Sequence, residues 1–153
     1  MACAATRPLR PVFLSVSRGT RSAVAGFRAH LLRGEIKLLF GDAPAAQELA
    51  SAAAAGFGQL QDALGTGDAH WLQASICVDR GNSLQVAECL VQAAAAYQTT
   101  GDALRMAAVA ARSLVNASFR EPVATASALQ QQFPVEQSLP AAVLAWASAA
   151  RAN

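Results

Sequence analysis

The chain has 153 residues, of which 54% are hydrophobic, 14% charged and 6% aromatic, and alanine alone fills 38 positions. That length allows one domain with its own core, the low charge excludes a disordered chain, the alanine content argues against an all-β fold, and no apolar run approaches the ~20 residues of a membrane-spanning helix. Charge is segregated: seven basic residues against one acid through Lys37 (+6), then five basic residues against nine acids (−4), which excludes a uniformly basic surface for nucleic acid.

The first element is a basic leader, roughly Met1 to Ser22, with Arg7-Pro8, Arg10-Pro11, several serines and no acid. Acid-poor, Arg- and Ser-rich composition is shared by organelle transit peptides, but the plainer reading is a poorly ordered tail ahead of one helical domain over 23–153. Its apolar stretch, Pro11 to Val16, is too short for the core of a signal peptide. A cytoplasmic location is therefore expected, with Cys3, Cys77 and Cys89 reduced and in no zinc-binding spacing.

Helix punctuation follows. Gly41-Asp42 precedes Pro44, and Gly67-Asp68, Gly81-Asn82-Ser83 and Thr100-Gly101-Asp102 have the same form. Glycine ends a helix in the left-handed conformation, and the next Asp or Asn caps the following helix. Asn116, Pro122, Pro134 and Pro140 mark later boundaries. Seven helices are predicted, at about 22–40, 43–63, 68–80, 83–99, 102–117, 121–132 and 138–151. Apolar stripes are expected along Leu84, Ala87, Leu90, Val91, Ala94 and Tyr97, and along Leu104, Ala107, Ala108, Ala111, Leu114 and Val115. In the last helix, Leu139, Val143, Trp146, Ala147 and Ala150 form a weaker stripe that suits a capping helix.

Asp68 and Asp102 are 34 residues apart, and a shift of 34 pairs Ala69 with Ala103, Leu72 with Met106, Ala74 with Ala108 and Asn82 with Asn116. Thirty-four is the tetratricopeptide period. An upstream unit fits if about six residues are inserted near Gly56-Phe57-Gly58, because its turn lies 40 residues before Asn82. With small residues midway along the first helices (Gly34, Ala74, Ala108), residues 24–133 resemble divergent tetratricopeptide repeats. More narrowly, Gly67 to Leu72, Asp79-Arg80-Gly81, Tyr97 to Asp102, and Phe133-Pro134 with Trp146 resemble the helical N-terminal region of some bacterial GGDEF diguanylate cyclases. The chain itself contains no GGDEF sequence. The resemblance implies an all-α, antiparallel helix-hairpin solenoid that serves as a bacterial sensory or protein-binding module. It carries no catalysis of its own, with a regulatory fragment of a cyclase as the alternative.

Catalytic constellations are not expected. His30 and His70 have no His or Glu partner at metal-binding spacing, and Gly65-Thr66-Gly67-Asp68 lacks the lysine of a phosphate loop and is read as a simple turn. Cys77 and Cys89 are read as buried and inert, with Cys77 facing roughly residue 86. No metal or cofactor is anticipated. Binding is expected on the concave face of the first helices. In the tetratricopeptide register that face holds Arg28, Leu31 and Glu35, then Trp71, Ser75 and Asp79, then Arg105, Val109 and Arg112. Arg105 and Arg112 are two turns apart on one face and suit a carboxylate or acidic peptide beside Trp71, against the blander reading of solvated arginines and a core tryptophan. The spacing leaves open whether Trp71 or His70 points inward. A protein or peptide partner is expected; a homodimer is compatible.

Overall fold

In the computed structural model residues 12–125 are described, with side chains from residue 19 onward. Five α-helices follow in order: α1 Val12–Leu39, α2 Ala43–Gln59, α3 Ala63–Asp79, α4 Ser83–Thr100 and α5 Ala103–Arg120. Residues 122–125 are again helical, and no described residue lies in a strand. Among the described residues no helix is long and apolar enough to cross a membrane.

One turn, used four times, connects these helices. A residue of positive φ (Gly41 +78°, Gln61 +55°, Gly81 +69°, Gly101 +68°) leaves each helix. The amide of the next residue donates back to the carbonyl five residues earlier, from Asp42 to Lys37, Asp62 to Phe57, Asn82 to Cys77 and Asp102 to Tyr97, at 2.9–3.4 Å. A second bond runs from the amide of each positive-φ residue to the carbonyl three residues back. Together these satisfy the last carbonyls of the helix. The same Asp or Asn then caps the next helix, its side chain accepting from the amides of Ala45, Gly65, Gln85 and Arg105. Two residues thus end one helix and start another, which forces antiparallel neighbours.

This geometry corrects several expectations. The turn between α2 and α3 is Leu60-Gln61-Asp62, so Gly65, Thr66 and Gly67 lie inside α3 rather than in a loop. The cap residues Asp42, Asp62, Asn82 and Asp102 recur every 20 residues, without a six-residue insertion at Gly56-Phe57-Gly58. The helix pair therefore spans 40 residues. Ala46, Ala50, Ala53 and Phe57 of α2 occupy the places of Val86, Leu90, Ala93 and Tyr97 of α4, and all eight are buried. α1 starts at Val12, about ten residues before the expected boundary. The apolar stripes are rotated from those expected: Leu84, Val91 and Leu104 are 60–69% exposed, while Val86, Ala93 and Val109 are buried. The segment 126–153, including the expected helix 138–151 and Trp146, lies outside the described residues, as does 1–11.

Two cores meet at α3. Leu31 of α1, Ala46, Ala50, Ala53 and Phe57 of α2, and Ala69, Leu72 and Ile76 of α3 form the first. Ala74 and Cys77 of α3, Val86, Leu90, Ala93 and Tyr97 of α4, and Val109 of α5 form the second. Alanine at these seams lets helix axes approach closely, and three glycines take the large rings. A Cβ on Gly56 would overlap the Phe27 ring, one on Gly65 the Phe57 ring, and one on Gly67 the Tyr97 ring. α1 packs against both α2 and α3, and α5 packs against α4. Side chains of α5 also reach α3. The odd-numbered helices therefore share one side of the molecule.

Candidate functional site

Along that shared side runs a groove. Arg28, Leu31, Leu32 and Glu35 of α1, Leu64, Asp68 and Trp71 of α3, and Arg105 of α5 line a cavity of about 380 Å³. Its polar centre is built by the α4–α5 turn. Asp102 caps α5 and so fixes Arg105 in the first helical turn, where Nη1 donates to Asp102 Oδ2 at 2.8 Å. The Arg105 Nε donates to Asp68 Oδ1 at 3.0 Å, and the guanidinium sits 5.7 Å over the Tyr97 ring. Tyr97 donates its hydroxyl to the same Asp68 oxygen at 2.9 Å.

Electrostatics follow from these contacts. The bond to Asp102 and the charge of Asp68 hold the Arg105 guanidinium protonated well above its ordinary range, against the cost of its desolvation. The Asp102 carboxyl lies below its usual range because the Arg105 amide and then its side chain donate to it. Burial, and then Asp68, push the Tyr97 phenol up, so it stays a neutral donor. Arg105 nevertheless keeps 42% of its side chain exposed. With Nε and Nη1 engaged by the two carboxylates, the guanidinium is fixed in place and has Nη2 left to donate to a further acceptor, against the net negative charge of the three groups.

Two turns further along α5, Arg112 lies 4.7 Å over the Trp71 ring and donates from Nη1 to Ser75 Oγ at 3.0 Å. Ser75 in turn donates to the Trp71 carbonyl at 3.1 Å. Desolvation lowers the Arg112 pKa from its ordinary value. Arg112 also borders a second cavity, about 530 Å³, whose wall is mostly apolar: Val78, Val86, Val115 and Phe119, with Gly81, Ser83 and Asn116 at its polar end. Asn116 closes that end by donating to the Ser83 carbonyl at 2.9 Å.

Of the residues anticipated from sequence, Arg28, Leu31, Glu35, Trp71 and Arg105 share the first cavity, and Ser75 and Arg112 meet beside it. Asp79 is exposed at the last position of α3 and lines neither cavity. Val109 is 4% exposed and belongs to the second core, because the packing face of α5 is rotated from the tetratricopeptide register. Trp71 is half-buried against the second core with one face under Arg112, and neighbouring His70 is half-buried with Nδ1 2.9 Å from Gln73 Oε1. Asp68, Tyr97 and the apolar cavity ending at Phe119 were missed. The Gly67-Asp68 pair presents Asp68 as a turn residue, and its place within α3 follows once Asp62 is recognised as the cap.

Cys77 and Cys89 are free and line one cleft between α2, α3 and α4. Cys77 Sγ approaches Gln85 Oε1 at 3.7 Å, close to the residue expected opposite it. Burial, then the adjacent Cys77, push the Cys89 thiol up to about 11, so it is not a thiolate at neutral pH. Among the described residues no three His, Cys, Asp or Glu side chains are grouped to hold a metal ion. No family model matches the chain, and no curated protein or solved structure matches it.

Proposed function

We propose that the chain is a non-catalytic, tetratricopeptide-like solenoid module that binds a segment of a partner protein along the groove of α1, α3 and α5. The observation that carries this reading is Arg105, fixed by Asp68 and Asp102 yet open to the groove beside Trp71. A carboxylate of the partner would add to this prepared cation. An apolar side chain two turns away would enter the 530 Å³ cavity past Arg112. Burial in such a cavity is the usual source of an interface anchor's affinity.

Selection from a displayed peptide library tests this. Selected peptides are expected to contain an acidic and an apolar anchor. Arg105→Ala should weaken them by about tenfold or more, in line with loss of a charge-assisted bond. Glu48→Ala, on the exposed side of α2, should leave affinity unchanged. Equal affinity for wild type and Arg105→Ala, with helical content retained in both, would remove the groove from the reading.

A further inference from the structure

The outward side of α1 is apolar, and no described element covers it. Ala25, Ala29, Leu32, Ile36, Leu39 and Phe40 recur at the spacing of one helix face, continued one residue past the helix end. All six are exposed, Leu39 and Phe40 by 86% and 85%. The opposite side of α1 supplies Phe27, Leu31 and Leu38 to the first core, so this helix is apolar on two sides, and of the outer stripe Leu32 alone borders the groove. Arg21 and Arg28 flank the stripe on one side and Arg33 on the other, all exposed. None of the three forms an ion pair among the described residues. Glu35 is the one acid of α1, against Arg18, Arg21, Arg28, Arg33 and Lys37.

We propose that this face of α1 binds the surface of an anionic lipid bilayer, with the helix lying in the plane of the interface. Ile36, Leu39 and Phe40 would enter the acyl boundary, with Leu32 at the edge shared with the groove, and Arg21 and Arg33 would reach the phosphates from apolar stems. Charge selects this occupant. A second copy of the same face would set Arg21, Arg28 and Arg33 against their own counterparts, with Glu35 the one acid on each helix. Shape points the same way: Ile36, Leu39 and Phe40 line none of the cavities described above and stand out from a convex helix edge. A bilayer accepts protruding apolar side chains without a matching pocket. The excess of basic over acidic residues on α1 itself favours the orientation that turns this helix toward the lipid.

The test is co-sedimentation of the full chain with vesicles of phosphatidylcholine containing phosphatidylglycerol, beside vesicles of phosphatidylcholine alone. Binding is expected to the anionic vesicles, and to weaken with added salt. Leu39→Glu and Phe40→Glu should each reduce it about tenfold or more, since each removes a buried apolar side chain and adds a repelled charge. Arg33→Glu should reduce it about fivefold or more, near the effect of one basic residue at such a surface. These positions are exposed and lie outside the groove, so unchanged circular dichroism and peptide affinity separate this result from the fate of the groove. A wild-type chain that stays in solution with anionic vesicles at low salt overturns the proposal, as does undiminished binding by Leu39→Glu. A dimer in sedimentation equilibrium that Leu39→Glu dissolves, without vesicle binding, assigns the face to self-association instead. If a Leu39→Cys thiol is shielded from maleimide in the free protein, the rest of this chain covers the face, and the proposal again falls.

Discussion

Gly65 and Gly67 show how one residue type serves opposite purposes. At Gly41, Gly81 and Gly101 glycine supplies a positive φ; at Gly65 and Gly67 it supplies room for the Phe57 and Tyr97 rings. Gly65→Ala should therefore destabilise the fold by about 1–3 kcal/mol, although alanine is the better helix former, because Phe57 is fully buried and cannot yield. Gly58→Ala meets nothing within 4 Å and should instead stabilise by up to ~1 kcal/mol. Urea unfolding midpoints of the two variants check both signs. The sequence shows Gly-Thr-Gly-Asp but not the ring above it, which arrives from another helix. That is why a turn was expected there and why Asp68 was not recognised as a partner for Arg105. That Arg28, Glu35, Trp71 and Arg105 face one cavity follows from the expected pairing of alternate helices on one side of the row.

The turns set the properties of the elements. Three of the four use glycine for the left-handed residue, and Gln61, at φ +55°, is the exception. Gln61→Gly should relieve its strain and stabilise by about 0.5–1 kcal/mol, read as a higher unfolding midpoint. The caps also carry a pH dependence. Asp42 lies below its ordinary range through the Lys37 side chain and then the Ala45 amide, and Asp102 through the Arg105 amide and side chain. A depressed carboxyl contributes stability above its unfolded value of 3.8 and loses it as pH falls through the folded value. Thermal unfolding should accordingly drop below about pH 4. Asp102→Asn, which keeps an acceptor for the cap but no charge, should flatten that fall. The helices were legible from their caps at Gly41-Asp42, Gly81-Asn82 and Gly101-Asp102, whereas Gly67-Asp68 carries the same signature inside α3. The Gln61-Asp62 turn lacked that signature, and with it went the 20-residue spacing.

Over the whole molecule α3 holds the structure together. It contributes to both cores and buries seven residues, whereas α5 buries three at one end of the described row. Amide hydrogen exchange should be slowest in α3 and along Leu90–Tyr97, and faster by about tenfold or more through α5, whose opening exposes less apolar surface. Equal protection across all five helices would indicate a single cooperative unit. The all-helical class was legible from alanine content and periodicity; the rotation of each stripe was not, because an alanine-rich helix offers several faces that differ little in hydrophobicity.

The constant 20-residue interval between caps gives the chain a parity. Insertion or loss of one interval between α3 and α5 would send every later helix to the opposite side, moving Arg105 and Arg112 away from Trp71. Insertion of two intervals would lengthen the row and leave each side chain facing as before. Length variants of this architecture that keep the groove should therefore differ by even multiples of the unit, counted from Asp42, Asp62, Asn82 and Asp102.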